Sequence, residues 1–282
     1  MNTAPFFTIV TVTYNAGEKV SKTIESVYEQ SCTDYEYILV DGASEDDTVQ
    51  RISENKNRFD EKCISYKYIS ENDDGIYDAM NKSISMAGGR WVCFLNAGDM
   101  FYDTESLDII KKSAEKGTAE IVYGDTIEFK ANGLYIYRKA FPLDQISQVI
   151  PFFHQSSATK LEVLRKYLYD TQYTICADYD FFLRCYQNKI NFEYIETPLS
   201  RYEFGGLSSR EESAIQLLKE QLEIRKNRGV FSDDEYHDKS NEYEKRYNHI
   251  TFKFKIKRLI PNVLLNKVMY IHDIRKGWKR LF

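Results

Sequence analysis

The chain has 282 residues, 43% hydrophobic and 29% charged, with 5 Pro and 13 Gly, which excludes collagen-like and low-complexity chains and leaves enough apolar residues for a sizeable core. Five scattered cysteines (Cys32, Cys63, Cys93, Cys176, Cys185), with no CxxC pair and no Cys/His cluster of zinc spacing, exclude a disulfide scaffold and a structural zinc site. The net charge of −5 divides into +8 over residues 251–282 and −13 over residues 1–250, and so acidic a body speaks against nucleic acid as the partner.

In chain order, short β-rich runs alternate with segments of helical period. FFTIVTV (6–12) precedes a helix from Glu18 to Gln30, and YEYILV (35–40) precedes a helix opening near Asp46. ISYKYIS (64–70) leads to a helix over Tyr77 to Met86, RWVCFLN (90–96) leads to one from Thr104, and EIVYG (120–124) closes the series. Strand then helix, repeated, predicts an α/β domain with a mostly parallel sheet covered on both faces, whose ligands gather at the carboxyl ends of the strands. From 125 to 205 the runs TIEFK, LYIYRKA and NFEYI, with a helix over 177–188, extend the sheet and build a second wall. Ser209 to Gly229 reads as one helix and a charged, Tyr-rich helix follows to about 250. No charged segment followed by a long apolar stretch opens the chain, and no apolar run reaches the roughly 18 residues of a membrane span. The expectation is a soluble protein of a reducing, cytoplasmic compartment.

The polar residues that follow the strands are the candidate site. Thr13, Tyr14 and Asn15 form a small turn in which Tyr14 can stack on a base. Asp41 ends an apolar strand before Gly42, placed to accept from the imide N–H of uracil or from a ribose hydroxyl, while Ser44 and Asp46 are the better helix caps. ENDDGIYDAMNK sets Asp73, Asp74, Asp78 and Asn81 on a loop and the first turns of a helix; Asp74 and Asp78, four apart, repel unless a cation or sugar hydroxyls lie between them. WVCFLNAGD delivers Asn96 and Asp99 in a Gly-containing loop, where hard oxygen ligands suit Mg2+ or Mn2+ against a diphosphate. Farther on, HQSSATK offers His154 and Gln155 for substrate contact. In CADYDFFLRC, Asp178 opens a helix where a carboxylate can serve as general base, while Asp180 better fits a salt bridge to Arg184.

In this order TVTYNA, LVDGASEDDT, SENDDGIYDAMNKSISMAGGRWVCFLNAGD and ICADYDFFLR resemble the family 2 glycosyltransferases of the GT-A fold, especially bacterial enzymes of surface-polysaccharide synthesis. The resemblance covers residues 5 to 205, most densely 70 to 99. It implies transfer of a sugar from a nucleotide diphosphate, UDP-hexose or UDP-N-acetylhexosamine, to an acceptor hydroxyl with inversion. It also implies a divalent metal, Mn2+ or Mg2+, held by Asp99, nucleoside contacts from Tyr14 and Asp41, and Asp178 as base. The sequence departs from the family twice. Asn-Ala-Gly-Asp stands where a DxD-like cluster is usual, leaving His154 or the donor phosphates to complete the metal, and Ala177–Asp178 stands where a Glu-Asp pair is usual.

The domain organisation expected is a catalytic domain over 1–205, with a nucleotide-sugar half to about 125 and an acceptor half over 126–205, then a helical extension over 206–282. In the basic tail 251–282, Leu264, Val268, Ile271, Ile274, Trp278 and Leu281 recur at helical spacing, the pattern of a helix lying in an anionic membrane surface at the inner face of the cell membrane. With the resemblance this points to a polyprenyl-diphosphate-linked saccharide as acceptor. The other reading of the tail is a helix packed on the domain or on the second subunit of a homodimer. Two other functions share the α/β nucleotide site. A sugar-nucleotidyltransferase needs an early Gly-rich loop with Arg and Lys that TYNAGEK does not supply, and a non-catalytic nucleotide- or glycan-binding module has no use for Asp178.

Overall fold

Strand β1 (Phe7–Thr13) lies at the centre, and every one of its seven residues is buried. It pairs in parallel with β2 (Tyr35–Asp41) on one side and with β4 (Trp91–Phe94) on the other, and β3 (Tyr66–Ser70) continues the parallel order beyond β2. A computed structural model describes residues 4–130, 132–203, 211–259, 269 and 273–280. Two compact units emerge, one of 1–127 with 137–202, the other of 128–136 with 203–282.

In the first unit the crossovers are α1 (Gly17–Tyr28), the pair α2 (Thr48–Glu54) and α3 (Lys56–Glu61), and α4 (Ile76–Met86). Val20, Ile24 and Val27 of α1, at near-helical spacing, are fully buried against Ile9, Tyr37 and Leu39 of the sheet. Each such side chain contributes on the order of 2 kcal/mol by leaving water. After β5 (Met100–Phe101) and α5 (Ser106–Lys116) comes β6 (Ile121–Phe129), which joins β4 only through β8 (Ser157–Lys160), antiparallel to both. The small, polar SATK of the HQSSATK run is therefore a sheet strand, and His154–Ser156 before it form a 3-10 turn. EIVYG and TIEFK are likewise one continuous strand, because Gly124 lets β9 (Phe192–Glu203) pass close; a Cβ there would lie 2.7 Å from the Thr197 carbonyl. Helices α6 (Leu161–Tyr167) and α7 (Ala177–Gln187) complete the unit.

In the second unit α8 (Glu211–Asn227) packs on the 27-residue α9 (Asp233–Leu259). Tyr236 and Tyr243 of α9 meet cations of α8: Lys226 Nζ stands 4.2 Å from the Tyr236 ring and Arg225 donates to the Tyr243 hydroxyl at 2.5 Å. Strand β7 (Leu134–Arg138) pairs through Leu134 and Tyr135 with β10 (Lys279–Arg280). Much of the apolar stripe expected from Leu264 to Leu281 lies outside the described residues. The described part is not the end of a surface helix. Helical residues stop at Arg275, Gly277 turns at φ +90°, and Trp278 is only 7% exposed, its ring under Lys130, which pairs with Asp273 at 2.7 Å. The aromatic ring read as a membrane anchor is thus packed on protein. Among the described residues no helix is long and apolar enough to cross a membrane.

At the amino ends of the strands sits one buried carboxylate. Glu36 accepts from Thr8 Oγ1 (2.8 Å), the Gly88 and Gly89 amides (2.5 and 3.2 Å) and Lys67 Nζ (3.0 Å). Burial opposes its charge, but these donors prevail and hold the carboxyl below its ordinary pKa. A depressed pKa contributes stability that is present above the unfolded value and lost as pH falls through the folded one. Glu36→Gln should therefore lower stability at pH 7 by about 1–3 kcal/mol, with the difference from wild type shrinking as pH drops below the usual carboxylate range. Urea unfolding at pH 7 and in acid measures this, and coincident curves at pH 7 would contradict it.

Candidate active site

The chain leaves β4 still bonded to β1, with Leu95 N donating to Val10 O and Ala97 N to Val12 O. It then turns sharply, because Gly98 adopts φ +105° and Asp99 N reaches back to Asn96 O at 2.8 Å. Thr23, fully buried in α1, fixes the turn: its Oγ1 accepts from Gly98 N (2.9 Å) and donates to Asp99 O (2.8 Å). Asn96 Oδ1 is buried and finds no hydrogen-bond partner among the described residues. With the Asp99 carboxylate it places two hard oxygens in one tight turn, a donor set that fits Mg2+ or Mn2+. No group of three or more His, Cys, Asp or Glu gathers for a metal among the described residues, so phosphate oxygens of a ligand would have to fill the remaining positions.

From that turn a line of hydrogen bonds reaches the start of α7. Asn96 Nδ2 lies 3.1 Å from His154 Nε2, and His154 Nδ1 lies 3.2 Å from Asp178 Oδ2. The side chains of His154 and Asp178 each keep 17% of their surface open, enough for a ligand to reach them. Burial opposes a charge on the ring, but the hydrogen bond to Asp178 and the negative charges of Asp178 and Asp99 prevail and raise its pKa. The other oxygen of Asp178 accepts from Tyr179 N (2.8 Å) and faces the Tyr77 hydroxyl at 3.2 Å, whose proton is shared with the Ile175 carbonyl at 2.8 Å. Burial, then the Asp178 charge, pushes the Tyr77 phenol well above its usual pKa, so it remains a donor. Two residues on, Asp180 is fully buried and bonded at 2.7 Å to Arg184. The two carboxylates of this helix thus have separate roles, one structural and one facing outward.

A second group lies one strand away, since Thr13 and Asp41 are opposed in the β1–β2 register. Asp41 is fully buried; Ser44 Oγ donates to Oδ1, and Ser44 N and Ser70 Oγ donate to Oδ2. Ser44 in turn accepts from Asn15 N, while Asn15 Oδ1 accepts from Glu45 N, so the two loops are stapled together. Asn15 (φ 45°) and Ala43 (φ 60°) are held in the left-handed region, a conformation that functional loops tolerate at a cost. Tyr14 is 63% exposed beside Gly42, and Asp73 flanks the same glycine. Thr13 Oγ1 and Gln155 Oε1 are further buried oxygens with no partner among the described residues. Asp74 is exposed, Asp78 pairs with Lys82 at 3.2 Å, and Asn81 uses both ends of its amide on the Tyr169 backbone. None of these three hydrogen-bonds to Asn96, His154 or Asp178 among the described residues. Thr23 lies outside every motif, and Ser44, Ser70 and Tyr77 lie inside motifs but make contacts to Asp41 and Asp178 that the motifs do not announce.

The parallel strands β4, β1, β2 and β3, wrapped by helices and ending in polar loops at their carboxyl edge, belong to the GT-A fold. The chain belongs to glycosyl transferase family 2, whose family model matches residues 8–191. A PGL/p-HBAD biosynthesis glycosyltransferase of Mycobacterium bovis is 31% identical over 210 residues, which are 73% of this chain and 80% of that protein. An uncharacterized glycosyltransferase of Methanocaldococcus jannaschii is 24% identical over 77% of this chain and 76% of its own length. Among solved structures, S. aureus TarS in complex with UDP-GlcNAc matches with a TM-score of 0.62 at 16% identity, covering 88% of this chain and 73% of that one. The mannosyltransferase PcManGT of Pyrobaculum calidifontis, in complex with GDP-Man and Mn2+, matches with a TM-score of 0.64 at 13% identity, covering 99% and 82%.

Thr23→Val keeps shape but leaves the Gly98 amide and the Asp99 carbonyl unpaired, so it should cost about 1–3 kcal/mol of stability. Thr23→Ser should restore most of it. Thermal unfolding of the two variants decides the matter, and a Val variant as stable as wild type would remove Thr23 from the turn.

Proposed function

We propose that the chain moves a hexose or N-acetylhexosamine from a UDP-sugar, with inversion, onto a hydroxyl of a polyprenyl-diphosphate-linked saccharide in bacterial surface-polysaccharide synthesis. The observation that carries this reading is the hydrogen-bonded line from the Asn96–Asp99 turn through His154 to Asp178. It connects a turn suited to a diphosphate with a carboxylate suited to an acceptor hydroxyl.

The nucleoside would lie against Tyr14, on the loops that Asn15, Asp41 and Ser44 staple, with Thr13 and Asp73 beside it. Asp41, being buried, would act chiefly by bracing that loop. Bound Mg2+ or Mn2+ would neutralise charge on the leaving diphosphate, and Asp99 with Asn96 Oδ1 are the residues that would hold it. Asp178 takes the proton of the acceptor hydroxyl as that oxygen bonds to the anomeric carbon. The bond from that carbon to the diphosphate breaks, and its electron pair departs with UDP. Attack from the face opposite the leaving group inverts the centre and needs no second, nucleophilic carboxylate. Gln155, Asp74, Asp78 and Asn81 would shape the sugar and acceptor sides. UDP-GlcNAc bound to S. aureus TarS and Mn2+ with GDP-Man bound to PcManGT lend support to a nucleotide-sugar donor and a divalent metal.

The lipid-linked acceptor rests on the charge of residues 251–282, +8 in total. Each Lys or Arg near an anionic surface contributes about 1 kcal/mol, which suits reversible attachment at the inner face of the cell membrane. Burial of Trp278 shifts that role from an inserted aromatic to charge, and a homodimer through the same extension is the competing use of it.

Slow hydrolysis across a panel of UDP- and GDP-sugars tests the reading and identifies the donor; no turnover of any of them would count against it. With the donor in hand, Asp178→Asn should lower kcat by about 10²–10⁴-fold while UDP affinity stays. Loss of UDP binding instead would make Asp178 a donor ligand. Asp99→Ala, and wild type in excess EDTA, should both lose turnover, and full activity in either would remove the metal.

A further inference from the structure

Asp178 is crowded for a base. A carboxylate offers about four acceptor positions, and three donors face this one among the described residues: Tyr179 N on Oδ1, His154 Nδ1 on Oδ2, and the Tyr77 hydroxyl, whose single proton Oδ1 at 3.2 Å shares with the Ile175 carbonyl at 2.8 Å. Oδ2 is the less crowded oxygen, with one donor against two on Oδ1, and the imidazole that shares it determines where its free position points. His154 is itself fixed at both nitrogens. Its Nδ1 faces a carboxylate and so carries a proton whichever charge the ring bears, while its Nε2 faces the Asn96 amide nitrogen at 3.1 Å. Asn96 stands in the turn that Thr23 locks through Gly98 and Asp99.

We infer that His154 is a positioning residue for the base: its Nδ1–H aims the free acceptor position of Asp178 Oδ2 at the acceptor hydroxyl, and Asn96 holds the ring from its other side. In this role the ring touches neither donor nor metal. The diphosphate turn and the base are joined through it, so a donor seated against Asn96 and Asp99 also steadies the group that will take the proton. The inference rests on Asp178 being the base.

The test exploits the shapes of the two amide side chains. Asn at 154 places its N–H where Nδ1 stands and keeps the bond to Asp178; Gln places its amide where Nε2 stands and keeps only the Asn96 side. His154→Asn should hold kcat within about 10-fold of wild type, whereas His154→Gln should lose about 100-fold or more in kcat with donor KM and UDP affinity unchanged. The reverse ranking, with a raised donor KM for His154→Asn, would overturn the inference and put Nε2 on the donor. Equal losses accompanied by lowered thermal stability would overturn it in favour of a purely structural ring. Asp178→Asn run alongside separates the two levels: if it turns over, the base itself is misassigned, and if it is dead while the His154 variants behave alike, only the positioning role fails. A wild-type readout guards against unfolded variants. With four histidines in the chain, long-range 1H–15N spectra at alkaline pH should show a buried ring as the Nδ1–H tautomer that changes in Asp178→Asn, and an Nε2–H tautomer would overturn the inference.

Discussion

Burial of β1 on both faces, with parallel neighbours on both sides, is the constraint from which the rest follows. Within that strand stand apolar residues and threonines whose hydroxyls are paired, as Thr8 is with Glu36 and Thr11 with Tyr37, and only at the exit does Thr13 keep a hydroxyl with no partner among the described residues. Polarity is pushed to the strand ends. Parallel pairing then aligns the exits of β1, β2 and β4 at one edge, so Tyr14, Asp41 and Asn96 arrive together although they are far apart in sequence. Function on this edge is a consequence of how the core is filled.

The carboxylates show how the two ends of the sheet differ. At the amino end Glu36 accepts from a hydroxyl, two amides and an ammonium and has nothing left to offer a ligand. At the carboxyl edge Asp41 is similarly enclosed by Ser44 and Ser70, yet its effect is to bend a loop into the open. Of these three carboxylates, Asp178 is the one that combines three internal donors with solvent access. That difference, more than the residue type, separates structural carboxylates from one that can take a proton. Asp180 makes the same point two residues away, buried on Arg184.

Much of this was legible in the sequence where burial leaves a pattern. The parallel half of the sheet, its crossover helices and the polar stops after each strand could be read from alternating apolar runs. Strand β8 could not, because SATK carries no apolar signature and is a strand only because β4 and β6 flank it. Nor could the full length of β9, since Pro198 reads as a stop, or the continuity of β6 through Gly124, which depends on a neighbour from another part of the chain. At the site, Asn96, Asp99 and Asp178 stood out as polar residues beside apolar runs. Thr23 and Tyr77 did not, being a threonine and a tyrosine on buried helix faces whose hydroxyls matter only once partners from distant segments are in place. The basic tail misled in one respect: Trp278 fits an apolar stripe by spacing, but Gly277 breaks the helix and the ring goes beneath Lys130.

The central claim is that one carboxylate, Asp178, works as a base in a single displacement. The anomeric configuration of the first-formed product tests it most directly. With an α-linked UDP-sugar as donor, one-bond carbon–proton couplings in the product should report a β-glycoside. An α-glycoside would contradict the account, since a single displacement from the face opposite the leaving group cannot retain the anomeric configuration.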